Sequence, residues 1–398
     1  MSCYNLINYN NNLYNIFNDL YNNLDKLKDY NLKYKKYKDY ILINYDKSFI
    51  DNENTITLGL FRSCLFKHNK LICFSPPKSI KYNNFKQIYE INKCSIEEFI
   101  DGTLINLYYD NEPDEFGSAG WKITTKGYIG ARNKYFKNYT NEKSFNTMFT
   151  ETCLELDFDF NLLPKDYCYS FVLQHKENRI VTKFYENSLF LVKCYKINGL
   201  NIDLIDSSFL KNNEICKMIK FPQTYSFNNY DDLENKLLSL DFNFKGYYIV
   251  NYENCKHTKI RNPNYEYVKN IRGNDVKLQY TYLRLIKEDN LDTYLKYYPE
   301  QESLFENYKN DYLEYINNLY NYYISLFIKK EINFTNVNPE YKKNLYMVHG
   351  IYLNYKRENL NRSIKLDDIT NYFKNLECAQ QMYYINYKYH NNLCELNN

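Results

Sequence analysis

The chain has 398 residues, 44% hydrophobic and 25% charged, which are the proportions of a folded protein long enough for two ordinary domains. A net charge of +3 over that length gives no global field for nucleic acid, so any basic site must be local. No apolar run approaches ~18 residues, so no membrane-spanning helix is expected.

Tyrosine is abundant at 47 residues, beside heavy use of Asn, Lys and Ile, whose codons are AT-rich. An AT-rich genome, such as that of a large DNA virus, suits this usage. The 11 cysteines are scattered and form no C-x-x-C pair, which argues against structural zinc. With the polar start Met1–Asn10, they fit a reducing, cytoplasmic compartment.

Leu13, Ile16, Phe17, Leu20 and Leu24 recur at helical spacing and predict a helical extension over residues 1–55. Thr55–Leu60 and Lys70–Phe74 read as short strands. Pro76 and Pro77, followed by Lys78, fix an extended path. Over residues 95–130, Ile105, Leu107 and Tyr109 alternate with Asn106 and Tyr108. Trp121, Ile123 and Thr125 then alternate with Lys122, Thr124 and Lys126, so two strands flank the acidic turn Asn111–Gly120. Glu97 and Glu98 read as surface acids, and Trp121, Tyr128 and Phe136 as core.

Phe145 and Phe149 mark a helix within Asn141–Thr150. Tyr167–Val181 reads as a strand, a turn and the start of another strand. Leu189–Ile197 alternates and should pair with it, and Tyr230–Leu240 is an amphipathic helix. Phe244–Val250 is strand-like. Lys259 and Arg261, one residue apart in the next strand, share a face. From Leu278 the pattern is helical only. A stripe of Leu304, Phe305, Tyr308, Tyr312, Tyr315, Leu319, Tyr323 and Phe327 is followed by helices over Pro339–Tyr355 and Leu366–Tyr389. There is no G-x-x-x-x-G-K-[ST] or G-x-G-x-x-G loop.

Phe99-Ile100-Asp101-Gly102-Thr103-Leu104-Ile105 resembles the Lys-x-Asp-Gly-Ser/Thr-Leu-Ile motif of covalent nucleotidyltransferases. Thr125-Lys126-Gly127 resembles the Thr-Lys-Gly that follows it in RNA ligases of the phage tRNA-repair type. Lys78 matches the lysine of a Pro-x-Pro-Lys-like segment in those ligases, and Asn178-Arg179-Ile180-Val181 matches their Asn-Arg-Ile-Val. Lys245-Gly246-Tyr247 stands where they have Glu-Gly-Tyr, and His257–Asn274 resembles their closing motif. The resemblance covers roughly residues 70–275.

It implies an α+β fold, with antiparallel sheets around a nucleotide cleft over residues 56–277 and an all-helical domain over 278–398. It also implies three losses: Phe99 replaces the nucleophilic lysine, and Val172 and Lys245 replace two glutamates. Covalent nucleotidyl transfer needs an amine and metal-binding acids, so the site is expected to be catalytically dead. Lys78, Phe99, Asp101, Lys126, Asn178, Arg179, Lys259 and Arg261 remain as candidates to hold a nucleotide or an RNA 5′ end, including a cap-like one. That role requires no metal and no cofactor, and leaves the helical domain free for a protein partner. Two alternatives stay open. One is an active ligase or nucleotidyltransferase using ATP and Mg with Lys78 as a displaced nucleophile; the other is a scaffold.

Overall fold

The computed structural model describes residues 3–113, 119–134, 143–211 and 214–387. The chain divides into two compact units, residues 1–135 with 141–269, and 136–140 with 270–398. Their composition differs: the first is mixed helix and sheet, and the described part of the second is helical.

The strands are β1 (Tyr4–Asn5), β2 (Leu32–Tyr37), β3 (Tyr40–Tyr45), β4 (Cys64–Lys67), β5 (Lys70–Phe74), β6 (Ser95–Glu98) and β7 (Thr103–Asp110). They continue as β8 (Gly120–Thr125), β9 (Tyr167–Gln174), β10 (Ser188–Asn198), β11 (Asn201–Ile205), β12 (Thr224–Tyr225), β13 (Gly246–Asn251) and β14 (Lys256–Arg261). They build three sheets, ordered β1-β11-β10-β9-β7-β8, β12-β6-β13-β14 and β2-β3-β4-β5. Paired strands within them are antiparallel.

The six-stranded sheet is covered on both faces. Ile105, Leu107, Phe171 and Leu189 pack with the helix Phe145–Glu155, while Tyr108, Tyr195 and Ile202 pack toward β2–β5 and the N-terminal helices. This explains why β7 alternates without a wet side: Asn106 is fully buried, donating to Ser75 Oγ and accepting from Ser170 Oγ. A third core joins β6 and β13 to the helices Tyr82–Ile88 and Tyr230–Leu238.

Several local expectations are corrected. Residues 1–55 are not a helical extension. After the helix Leu13–Asn18 and short 3-10 turns, they supply the β2–β3 hairpin, which pairs onto β4. The helical spacing of Leu13, Ile16 and Phe17 was real but ended after six residues. Thr55–Leu60 is not a strand but two 3-10 turns, Asn54–Ile56 and Leu58–Leu60. There Asp51 accepts from the Asn54 backbone N–H at 2.8 Å, and local side-chain bonds of this kind compete with a sheet ladder. The strand expected to begin by Val181 starts at Ser188. Cys3 and Cys255 form a disulfide. Phe136, the centre of the Asn111–Gly120 turn, the start of the Asn141–Thr150 segment and Tyr389 lie outside the described residues.

In the second unit the tyrosine stripe lies on the helix Glu302–Tyr323. Tyr315 stacks on Tyr341 and on Phe373, both at 4.8 Å, and its hydroxyl donates to Glu340 O and accepts from Asn344 Nδ2. Buried tyrosines need such polar partners at the tip of the ring. The helices Pro339–Arg357, Leu366–Asn375 and Cys378–Ile385 complete the packing. The last two were expected as one helix. The break is stabilised by Gln381, whose amide donates to Lys374 O and Leu376 O. No helix is long and apolar enough to cross a membrane among the described residues.

Candidate functional site

The junction between β6 and β7 sets the geometry. Phe99 N–H donates to Gly246 O at 2.9 Å, so the chain leaves β6 still attached to β13. It then turns at Gly102, whose φ is +133°; a Cβ there would lie 2.4 Å from Leu173 O and 2.8 Å from Val172 Cγ1. Gly246, at φ +145°, is equally constrained, with a Cβ falling 2.1 Å from Ile260 O. Only glycine lets these backbones approach so closely.

Asp101 is buried and fully engaged. Oδ1 accepts from Tyr265 Oη at 2.7 Å and faces Lys245 Nζ at 3.4 Å; Oδ2 accepts from the Val181 and Thr182 N–H groups, each at 3.3 Å. It fixes the loop rather than offering an oxygen to a ribose. Lys245 also donates to Ile100 O at 3.1 Å, and its ammonium lies 4.3 Å from the Phe99 ring centroid. Burial pushes the Lys245 pKa down, with Asp101 opposing the shift. The side chains of Phe99, Val172 and Lys245 are therefore close-set: Val172 against Gly102, and Lys245 over Phe99.

A second ion pair lies between β10 and β6. Lys193 Nζ is 2.9 Å from Glu97 Oε2, Tyr252 Oη donates to Glu97 Oε1 at 2.8 Å, and the ammonium sits 4.9 Å from the Tyr248 ring centroid. Glu97 is thus buried and paired, not a surface acid. Tyr248 in turn stacks on His257 at 5.1 Å. Burial, then Lys193 and Lys259, push the His257 pKa down to about 3, so the ring is neutral and donates through Nε2 to Pro77 O at 3.2 Å.

Beyond these pairs stands a group of cations, three of which have no carboxylate partner among the described residues. Lys259 Nζ lies 5.2 Å from the Phe99 ring centroid, on the same strand as Arg261. Lys126 Nζ lies 5.2 Å from the Tyr45 centroid. Asn44 Nδ2 ties Lys126 to Arg62, donating to both carbonyls at 2.9 and 2.6 Å. Arg62 reaches Pro76 O, and the Lys78 backbone is anchored on Gly59 O. Burial, then Arg62, Arg261, Lys245 and Lys78, lower the Lys259 pKa to about 7. Burial, then Arg62, Lys47 and Lys78, lower that of Lys126 to about 8. Lys78 is lowered by burial and then by Arg62, Lys81, Arg261 and Lys47. Among the described residues, Lys78, Lys126 and Lys259 have no carboxylate partner within salt-bridge distance. Arg261 is exposed and pairs with Glu266 at 3.3 Å.

Asn178 and Arg179 belong to the turn after β9. Asn178 Nδ2 donates to Thr103 Oγ1 at 2.8 Å, and Arg179 Nε donates to Val181 O at 2.9 Å, beside the Asp101 anchor. Both brace the loop that holds Asp101. Sequence reasoning missed Arg62, which no motif marks, and the Lys193–Glu97 pair, whose members are 96 positions apart.

Phe99 and Val172 carry no ligand atom, and Glu97 and Asp101 are committed to lysines. The residues present do not fit a divalent cation against ATP.

No protein-family model matches the chain. In backbone, a putative ATP-dependent DNA ligase from Aquifex aeolicus overlays 84% of this chain and 79% of its own, at a TM-score of 0.39 and 13% identity. In sequence, a stretch of 101 residues is 33% identical to an RNA ligase of Rhodothermus phage RM378. That match covers 24% of this chain and 21% of the phage protein's length. The sequence similarity supports a ligase-like relationship for this part of the chain.

Proposed function

We propose that the chain is a non-catalytic RNA-binding protein whose degenerate ligase-like pocket holds a nucleotide or an RNA 5′ end. One observation carries this reading: Lys78, Lys126 and Lys259 are half-buried without carboxylate partners among the described residues, and the charge of Lys78 acts on the other two. Packing like charges in a partly desolvated cleft is unfavourable unless an anion completes the set. Phosphates do so, and the Phe99 ring beside Lys259 offers a face for a base.

The test is a titration of triphosphate-ended, monophosphate-ended and capped short RNAs at two salt concentrations. A preference among ends that persists at the higher salt supports the pocket, because stacking adds to the salt-sensitive phosphate contribution. Equal, weak and wholly salt-sensitive binding of all three leaves the scaffold reading.

A second reading has its own support. The lowered pKa values of Lys259 and Lys78 favour the neutral, nucleophilic amine. In a displaced-lysine transferase, that amine would form a P–N bond to the nucleotide α-phosphorus, losing a proton as pyrophosphate leaves. Incubation with radiolabelled ATP or GTP plus magnesium or manganese tests this. A labelled adduct abolished by Lys78→Ala or Lys259→Ala establishes transfer; no adduct under any combination removes it.

A further inference from the structure

A cavity of about 1030 Å³ is lined in part by Gly127 and Tyr128 and by none of Lys78, Lys126 and Lys259. It is framed by β2, the turn into β3, β8, residues 127–132 and the helix Phe145–Glu155. Its size is at the upper end of ligand pockets, which run ~300–1,000 Å³. Two features of its lining point in one direction.

The first is charge. Among the described lining residues, six lysines and arginines face two aspartates, Asp39 and Asp157. Lys35, Lys36, Lys38 and Arg132 are exposed at the mouth, while Lys67 and Lys122 flank Asp110 deeper in. The second is aromatic surface. Tyr128 and Tyr37 are 52% and 48% exposed, and Lys35 Nζ caps the Tyr128 ring at 4.1 Å while donating to Gly127 O. Tyr128, expected in the core, instead presents its ring to solvent. Trp121 forms part of the wall, 6.3 Å from Phe160, and its indole N–H is shielded from solvent with no acceptor among the described residues.

We propose that this cavity binds single-stranded RNA along its length, with phosphates on the lysine rim and bases against the Tyr128 and Trp121 side. Interleaved cations and exposed rings are the means by which proteins hold single strands without reading sequence. A membrane surface or an apolar peptide would not call for a concave, lysine-rimmed site. The proposal goes beyond the end-binding reading and stands without it, because internal nucleotides carry all the chemistry it needs.

Trp121 is the chain's single tryptophan, so its emission reports on this cavity. The experiment titrates the full chain with a short oligouridylate bearing a 5′-hydroxyl end and follows that emission. Saturable quenching is expected, with affinity falling about tenfold or more in Lys35→Ala/Tyr128→Ala. Lys259→Ala/Arg261→Ala should leave the quenching curve in place. Should the first variant not fold, Lys36→Ala/Lys38→Ala, at two exposed positions, replaces it with the same expectation. A photocross-link from the same oligonucleotide to the Tyr128 peptide gives a second measurement independent of emission. No quenching, or quenching indifferent to the rim variants, overturns the proposal. So does quenching lost in Lys259→Ala/Arg261→Ala, since Trp121 would then be sensing the other pocket. Loss of end preference with quenching intact would defeat only the end-binding reading.

Discussion

The lysines of the sheet-containing unit divide into two halves that hold the same kind of charge in opposite states. In one half Lys193 meets Glu97 and Lys245 meets Asp101, each pair nearly removed from water. In the other, burial and then Arg62 lower the pKa values of Lys78, Lys126 and Lys259, and Lys78 adds to the lowering of the other two. The paired half is structural: its charges are satisfied before any ligand arrives. The unpaired half is strained electrostatically, and an anion relieves it. Lys245 pairs with Asp101 at 3.4 Å, so that carboxylate is already satisfied, while Lys78, Lys126 and Lys259 have no carboxylate partner among the described residues.

Breaking the paired half should have the largest effect. Lys193→Met leaves Glu97 charged and buried, and should cost about 3–5 kcal/mol of stability. The double variant Lys193→Met/Glu97→Leu should recover most of that, since two apolar groups replace a pair instead of orphaning one member. Asp101→Ala should be similarly damaging, because it strips Lys245 of its anion and two backbone N–H groups of their acceptor. Urea denaturation of the three variants measures this. A Lys193→Met protein as stable as the parent would mean that the pair is solvated and the distinction between the halves unfounded.

The unpaired half should respond the other way. Lys259→Met or Lys126→Met should leave stability within about 1 kcal/mol, or raise it, as each relieves repulsion. RNA affinity should instead fall, with the salt slope reduced by about one per lysine removed. Filter binding across a salt series, beside thermal melts, separates the two effects. Loss of stability together with unchanged affinity would assign these lysines to the scaffold.

The strands around this site were legible because their alternation is local: β7, β8, β9 and β13 fall close to where period-2 patterning puts them. The ion pairs were not. In β10, strict alternation puts Lys193 on the face of Leu189 and Leu191, but a bulge between Leu191 and Lys193 shifts the register. Cys194 then joins that core while Lys193 turns to the opposite side, toward Glu97. A one-residue irregularity leaves no mark in composition. The hairpin within residues 1–55 was hidden for another reason: Lys33, Lys35 and Lys36 on β2 read as a solvated, charged segment, because the edge of a sheet is polar. Of the candidate residues, Asp101, Asn178 and Arg179 make hydrogen bonds that hold the turn after β9 and the start of β7.

The pH dependence of binding sharpens the contrast further. The folded pKa of Lys259 is lowered to about 7, below that of a lysine in the unfolded chain. Between pH 7 and the unfolded value the unfolded chain holds a proton that the folded one lacks, so this residue adds stability as pH rises through that window. A bound phosphate favours the charged form, so binding takes up a proton and affinity should fall from pH 7 to 9, by up to about tenfold per unit for one proton. Calorimetry in buffers of different ionisation enthalpy counts that proton.

The smallest expected effect concerns Phe99, the ring between the halves. Lys245 lies 4.3 Å and Lys259 5.2 Å from its centroid, so one aromatic ring serves a paired and an unpaired cation at once. An ammonium over a ring gains about 0.5–1 kcal/mol at partly exposed sites, through attraction to the negative face. Phe99→Leu keeps apolar volume but removes that face. Lys245, held by Asp101 and by Ile100 O, should stay charged, and stability should drop by no more than about 1 kcal/mol. Lys259 has no carboxylate to fall back on, so its ammonium should become less favourable and its pKa should move further below 7. Side-chain NMR of the lysine ε-methylenes follows both residues in one titration. A downward shift of Lys259 with Lys245 unmoved would show that the ring supports only the cation lacking an anion. Equal shifts of both would mean that the Lys245–Asp101 pair is weaker than its 3.4 Å geometry implies.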